Sequence, residues 1–168
     1  MNLLFISSFS FNITAFYIII FNMNSTSENA NINENTSTGA SANAGVNAYE
    51  LFIEGKKLTK DKDFLKAIML LEKAKKLEPQ KGSIREALAT AYYNCGFYES
   101  AKKNFLKAIE IDATNDFAHY GFALCCIKEG KINIALGHLK MARAMKPEYK
   151  IYGDAVKKYS IILNKLIV

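Results

Sequence analysis

Small and large apolar residues recur at a fixed interval through most of the 168-residue chain. From about Ala48 onwards the apolar positions have helical spacing, and the pattern returns after 34 residues, as from Ala67 to Ala101 and on to Ala135. Such self-similarity is typical of stacked helical units. Five columns recur with one exception, an alanine in place of proline: Gly55, Ala67, Leu71, Ala74 and Pro79; Ala89, Ala101, Phe105, Ala108 and Ala113; Ala123, Ala135, Leu139, Ala142 and Pro147.

The columns predict two antiparallel helices in each unit. A small residue on the first helix, Gly55 in the first unit, would allow close approach to an alanine of the second helix, Ala67, and Leu71 would then lock the pair. Gly96 and Gly130 lie at equivalent places between the two helices of their units, where a turn needs a permissive backbone.

Capping signals place the helix ends. After a turn through residues 59–63, Asp63 is a candidate N-cap. Ser83 and Glu86 form a candidate capping box, and Thr114, Asn115 and Asp116 offer N-cap oxygens before the third unit. These signals predict helices over residues 48–60, 63–77, 83–95, 98–111, 116–129, 132–145 and 148–165.

A 34-residue helical pair with these columns resembles the tetratricopeptide repeat, and the resemblance covers residues 48–147. It implies an all-α fold, a right-handed α-solenoid of three helix pairs closed by a C-terminal capping helix. The implied domain spans residues 48–168, with repeats 48–81, 82–115 and 116–149 and a capping helix 150–168. We expect Tyr159 and residues 161–163 to cover the third repeat, with Lys157, Lys158 and Lys165 in water.

The chain departs from the family pattern at two positions that are usually aromatic. The fourth residue of a repeat is Leu51, Arg85 or His119, and the tyrosine expected three residues after the Gly/Ala column of the first helices survives only as Tyr92. We therefore expect the packing within each pair to be less regular than in the family pattern.

The resemblance also implies a function, because in this family the first helices line a concave groove that holds a peptide or helix of a partner protein. One subclass grips a C-terminal carboxylate, but its clamp positions are here Phe52, Lys56, Ala87, Phe117 and Gly121, with a single basic group. The implied function is a protein-binding adaptor or scaffold without a carboxylate clamp, and not an enzyme. The implied groove comprises Tyr49, Phe52, Ile53, Lys56, Lys60, Thr90, Tyr93, Asn94, Phe117, Tyr120, Leu124 and Lys128.

The remaining polar residues form no recognisable catalytic or metal motif. His119, Cys125 and Cys126 are the one cluster that suggests a metal, but adjacent helical side chains point about 100° apart. We interpret Cys126 as a core residue, His119 as packing at a unit junction and His138 as solvated or stacked, and expect no cofactor, metal or small-molecule substrate. With Cys95, the three cysteines fit a reducing compartment better than a disulfide framework.

Charge is unevenly distributed along the chain. The net charge is +6, and residues 1–47 contain no Lys or Arg and only Glu28 and Glu34, so residues 48–168 carry +8. The second helices hold many lysines interspersed with Glu72 and Glu110, which favours a solvated face; binding of nucleic acid or anionic lipid there is the alternative. The cationic residues are Lys66, Lys73, Lys75, Lys76, Lys102, Lys103, Lys107, Lys140, Arg143 and Lys146.

The first 47 residues form two segments of different composition. In the hydrophobic segment 1–21, residues 3–21 are uncharged and long enough to cross a bilayer, but no Lys or Arg flanks them and Met23 offers another start. A membrane anchor and a misassigned start therefore remain open. The Asn/Ser-rich segment 22–47 predicts a disordered linker. We expect a cytoplasmic protein, or a membrane-tethered assembly factor if residues 3–21 are translated and inserted.

Overall fold

The computed structural model describes residues 47–167, in which all regular secondary structure is helical. The predicted helices are confirmed, with ends that differ by at most two residues. The last helix begins at Lys150 because a turn follows Pro147, in which the Tyr149 N–H donates to the Lys146 carbonyl oxygen at 3.2 Å. The helices are α1 (Ala48–Lys60), α2 (Phe64–Leu77), α3 (Gly82–Asn94), α4 (Tyr98–Ile111), α5 (Asp116–Lys128), α6 (Ile132–Met145) and α7 (Lys150–Ile167).

The N-terminal predictions fall on other parts of the chain. The hydrophobic segment 1–21, and the linker 22–47 apart from Asn47, lie outside the described residues. Between residues 47 and 167, no helix combines the length and the apolar character that crossing a membrane requires.

The repeated columns form the core, as predicted. α1 packs on α2, α3 on α4 and α5 on α6, and each second helix also packs on the next first helix. A Cβ added at Gly55 would lie 2.6 Å from the Leu71 Cγ, so the first pair approaches as closely as its glycine allows. The second-helix columns are completely buried: Ala67, Ala101 and Ala135; Leu71, Phe105 and Leu139; Ala74, Ala108 and Ala142.

All three pairs turn through one residue in the left-handed region. Gly96 and Gly130 have φ of +84° and +76°, and Lys62 holds the equivalent place with φ of +66°. In each turn the following residue's N–H closes back on the first helix, as from Asp63 to the Leu58 carbonyl oxygen at 2.9 Å. The first turn thus has the geometry of the other two, with a lysine where glycine is favoured.

Two of the three capping predictions are confirmed. Asp63 accepts from the Lys66 N–H and Asn115 from the Ala118 N–H. The predicted capping box is wrong, because α3 begins at Gly82 and has no side-chain cap. The Glu86 carboxylate instead accepts a hydrogen bond from the Asn115 side chain at 2.7 Å, across the junction to the third repeat.

The last helix occupies the place of the first helix of a fourth unit. Tyr152 is completely buried; its hydroxyl donates to Asp116 at 2.7 Å and its ring lies 5.0 Å from that of Tyr120. The prediction that residues 161–163 cover the third repeat is wrong for Ile161, which is 57% exposed, because it lies on another face of α7. The covering residues are Tyr152, Ala155, Val156 and Tyr159, and Lys157, Lys158 and Lys165 are exposed as predicted.

Candidate functional site

The predicted groove residues lie on α1, α3 and α5 at equivalent positions of the three repeats, and we call this surface the first-helix face. Its composition changes along the stack because the same columns hold different residues. One column runs Lys56, Thr90, Leu124, and another runs Lys60, Asn94, Lys128.

The third-repeat end of this face is closed by the protein's own side chains. The Phe117 ring packs edge-on against the Phe105 ring at 6.1 Å, and Tyr120 packs against Tyr152. A Cβ at Gly121 would lie 2.3 Å from the Phe105 ring, so that ring rests directly on the α5 backbone. Three predicted groove residues at this end are consequently buried, Phe117, Tyr120 and Leu124, and Thr90 and Tyr93 on α3 are buried as well.

The first-repeat end is open. Tyr49 is 63% exposed and Ile53 is 43% exposed, and in the described part of the chain they are the only large exposed apolar residues on α1, α3 and α5. Phe52 is half-buried, and the Lys56 ammonium lies 5.2 Å from its ring centroid. Lys60 is exposed one turn further along the same face. An apolar surface bordered by cations therefore faces solvent on α1.

The sequence analysis assigned Glu86 to a capping box and missed it as a residue of the first-helix face. It occupies the same column as Phe52 and Tyr120, so the 34-residue interval would have found it. Burial, followed by the nearby Asp116 and Asp112 carboxylates, raises its pKa, against the hydrogen bond from Asn115 and the charge of Lys56.

The far edge of the face carries two polar side chains at equivalent positions. The Asn94 amide donates to the Thr90 carbonyl oxygen at 3.0 Å. The Lys128 ammonium lies 5.4 Å from the Tyr98 ring centroid, and partial burial lowers its pKa. Since Lys128 is partly covered and Lys60 is exposed, the more accessible cation belongs to the first repeat.

The two histidines form a pair within the third repeat. The His119 Nε2–H donates to the Ala113 carbonyl oxygen at 3.2 Å, since a carbonyl only accepts. His119 Nδ1 then accepts from His138 Nδ1–H at 2.9 Å, and the His138 ring also packs on Phe122. His119 and Cys126 are buried as interpreted, and residues 47–167 contain no cluster of three or more His, Cys, Asp or Glu side chains able to hold a metal.

Many of the second-helix cations are engaged in ion pairs. Lys102 bridges Glu99 and Glu129, and Glu129 also meets Lys131, which together lower the pKa of Glu129 to about 2. Further pairs join Lys66 to Asp63, Lys75 to Glu72, Lys103 to Glu99, Lys107 to Glu110 and Lys146 to Asp116.

Comparisons with known proteins agree with this architecture. The family model described as anaphase-promoting complex, cyclosome, subunit 3 matches residues 60–142, just under half of the chain. No curated protein matches. The chain has the tetratricopeptide-repeat fold, an all-α solenoid of helix pairs, as its solved structural relatives show.

The solved relatives share the fold at low sequence identity. The first repeat domain of Spaghetti (RPAP3), bound to an HSP90 peptide, is 18% identical with a TM-score of 0.68 over 70% of this chain and 93% of that chain. The TPR2B domain of yeast Sti1 in complex with pHsp70 is 24% identical (TM-score 0.63; 67% and 95%). The Yersinia enterocolitica secretion chaperone SycD, with a peptide of the translocator YopD, is 15% identical (TM-score 0.63; 67% and 92%).

Proposed function

We propose that this chain is a non-catalytic adaptor that holds a segment of another protein on its first-helix face. The observation that carries the proposal is the exposure of Tyr49 and Ile53 beside the Phe52 ring. Exposed apolar side chains grouped on one helix face contribute little to the fold and are what a partner's apolar side chains would cover.

The structural relatives support a peptide ligand. The Spaghetti, Sti1 and SycD structures each contain a partner or a peptide of one, according to their descriptions. We propose binding without a carboxylate clamp, because Phe52, Ala87, Phe117 and Gly121 occupy four of the five clamp positions and leave Lys56 as the one basic group.

The substitutions that best test this function are at groove residues that do not also support the fold. Tyr120 is buried against Tyr152, so replacing it would disturb the fold as well as the face. Tyr49 and Ile53 avoid that difficulty. Leu65 and Met69 on α2 provide a matched control, because they are 65% and 62% exposed on a second helix.

The experiment is quantitative affinity purification of the tagged full-length chain from its source organism. We expect Tyr49→Ala with Ile53→Ala to lose a partner that the parent chain retains, whereas Leu65→Ala with Met69→Ala keeps it, at equal helicity by circular dichroism. Equal retention of every partner by both double variants would contradict binding on the first-helix face.

A further inference from the structure

The outward face of α2 carries large apolar side chains that the core does not use. Leu65 and Met69 lie one helical turn apart and are the most exposed apolar side chains of the second helices. At 100° per residue, the exposed residues of α2 cover about a third of the helix circumference over a length of about 18 Å. They are three apolar residues and three lysines, with no acidic residue among them: Leu65, Lys66, Met69, Lys73, Lys76 and Leu77.

Two of these lysines supply a positive charge that the fold does not neutralise. Lys66 is held in an ion pair with Asp63 at 2.7 Å and is therefore not counted. Lys73 and Lys76 form no salt bridge with any described residue. Lys76 lies near the half-buried Glu72, whose salt bridge is to another lysine.

The other second helices present different faces. On α4, Glu99 and Glu110 are exposed and pair with the lysines of that helix. On α6, Lys140 and Arg143 are exposed without an acidic residue, but the apolar side chains there are less exposed than those of α2. The first repeat also has the largest excess of charge, with nine lysines and six acidic residues in residues 48–81, whereas the second repeat has four cationic and four acidic residues.

The mixture of aliphatic and cationic side chains distinguishes between possible occupants of this face. A second copy bound through the same face would bring like lysines together. Nucleic acid is gripped by cations together with aromatic side chains that stack on bases, and no exposed residue of α2 is aromatic. An anionic bilayer accommodates both kinds of side chain, because its headgroups attract ammonium groups and its acyl boundary takes up leucine and methionine.

We propose that the outward face of α2 is a docking surface for an anionic lipid membrane. Leu65, Met69 and Leu77 enter the boundary between headgroups and acyl chains, while Lys73 and Lys76 contact the headgroups. The helix lies along the membrane surface. This inference does not rest on the proposed function, whose surface is on the first helices.

A single tryptophan provides a local reporter, because the chain contains none. The full-length Met69→Trp variant is mixed with phosphatidylcholine vesicles that contain phosphatidylserine or lack it, and part of the lipid carries bromine on its acyl chains. With phosphatidylserine we expect the indole emission to shift to shorter wavelength and to be quenched by the brominated lipid, and both effects to weaken as salt is added. The readout reports contact at residue 69, whatever other part of the chain touches the vesicle.

The matched control for position is Leu106→Trp, at an exposed residue of α4, which should show neither effect. Tyr49→Ala with Ile53→Ala, added to Met69→Trp, should leave the quenching unchanged, since those residues lie on the first-helix face. Quenching in both tryptophan variants, quenching in neither, or equal quenching without phosphatidylserine would overturn the inference.

Neutral substitutions test the role of charge. Lys73→Gln with Lys76→Gln, added to Met69→Trp, should weaken vesicle affinity by about tenfold or more, since each lysine near an anionic surface contributes about fivefold. Lys103→Gln with Lys107→Gln removes the same charge from α4 and should weaken it by less than about threefold. Equal losses in the two variants would contradict docking through α2.

Soluble polyanions separate a membrane from other acidic partners. Polyglutamate and duplex DNA, at the same concentration of charge as the vesicles, should not shift the emission of Met69→Trp, because neither offers an apolar phase. A shift with either polyanion and none with vesicles would overturn the assignment to a membrane.

Discussion

The first and third repeats have the same backbone arrangement, but their first helices differ in how far their side chains are exposed. In the first, α1 presents Tyr49 and Ile53 to solvent; in the third, the equivalent region of α5 is buried by Phe105 and Tyr152. Within the described residues, α5 packs between helices on both sides, whereas α1 is the first helix. The same columns therefore build a surface at one end and a core at the other.

A second contrast lies inside the helix pairs, at two positions 19 residues apart. The first repeat places the apolar Leu70 against the cluster that contains Leu51. The second repeat pairs Arg85 with Asn104 at 3.4 Å, and the third pairs His119 with His138. This pair of positions is thus apolar in the first repeat and polar in the second and third.

The largest expected effect concerns the aromatic contact that closes the third repeat. Phe105→Ala should lower the free energy of unfolding by about 3–5 kcal/mol, because the ring is fully buried and rests on Gly121. The adjacent Leu106→Ala, at a residue 42% exposed, should cost well under half of that. Chemical denaturation measures both, and similar losses would contradict the assigned role of the ring.

The next effect concerns the attachment of α7. Tyr152→Phe should lower the free energy of unfolding by about 1–3 kcal/mol, since it removes the hydroxyl donor from the buried Asp116 carboxylate. Tyr49→Phe removes an exposed hydroxyl and should change stability by less than about 0.5 kcal/mol. Urea unfolding monitored by circular dichroism measures both free energies. An unchanged free energy of unfolding for Tyr152→Phe would show that its hydrogen bond to Asp116 does not stabilise the fold.

The histidine pair makes a pH prediction specific to the third repeat. Burial, and then the proximity of His119, lowers the pKa of His138, so the folded state binds this proton less readily than the unfolded state. Stability should therefore fall as pH decreases from above 6.5 through the lowered pKa, with no contribution at higher pH.

Substituting leucine at both His119 and His138, as in the first repeat, should remove that part of the pH dependence. Unfolding curves between pH 8 and pH 5 provide the measurement. An unchanged slope in the double variant would assign the pH dependence to other groups.

The smallest expected effect concerns the turns. Lys62→Gly should stabilise the fold by a few tenths to about 1 kcal/mol, because it relieves a left-handed lysine, while Gly130→Lys should destabilise it by about 1 kcal/mol. Thermal unfolding of the two variants compares the first and third turns directly. Shifts of the same sign would show that the turns are not equivalent.

The first and last helices described by the structure differ from the others in the residues that they have in two of the repeated columns. In one column α3 has Leu88, which is buried in a cluster with Ala67 and Leu71 of the preceding repeat, whereas α1 has the exposed Glu54. At the other end of the described residues, the exposed Lys157 of α7, the last helix, stands in the column of Gly55, Ala89 and Ala123.

The sequence by itself determined the repeat, the seven helices and the small and large residues of the core. It could do so because a 34-residue interval and helical spacing are local properties that each unit satisfies in the same way. It also determined two caps and, through the interval, the set of positions on the first helices from which a ligand surface could be built.

Only the tertiary structure decided which of those positions remain available. Thr90, Tyr93, Phe117, Tyr120 and Leu124 are buried, and Tyr49 and Ile53 are exposed, because burial depends on the neighbours before and behind each helix in the stack. The partner of Glu86 is likewise the N-cap residue of the next repeat's first helix, 29 residues away. Periodicity specifies which side of a helix a residue occupies, but contacts between units decide whether that side meets protein or water.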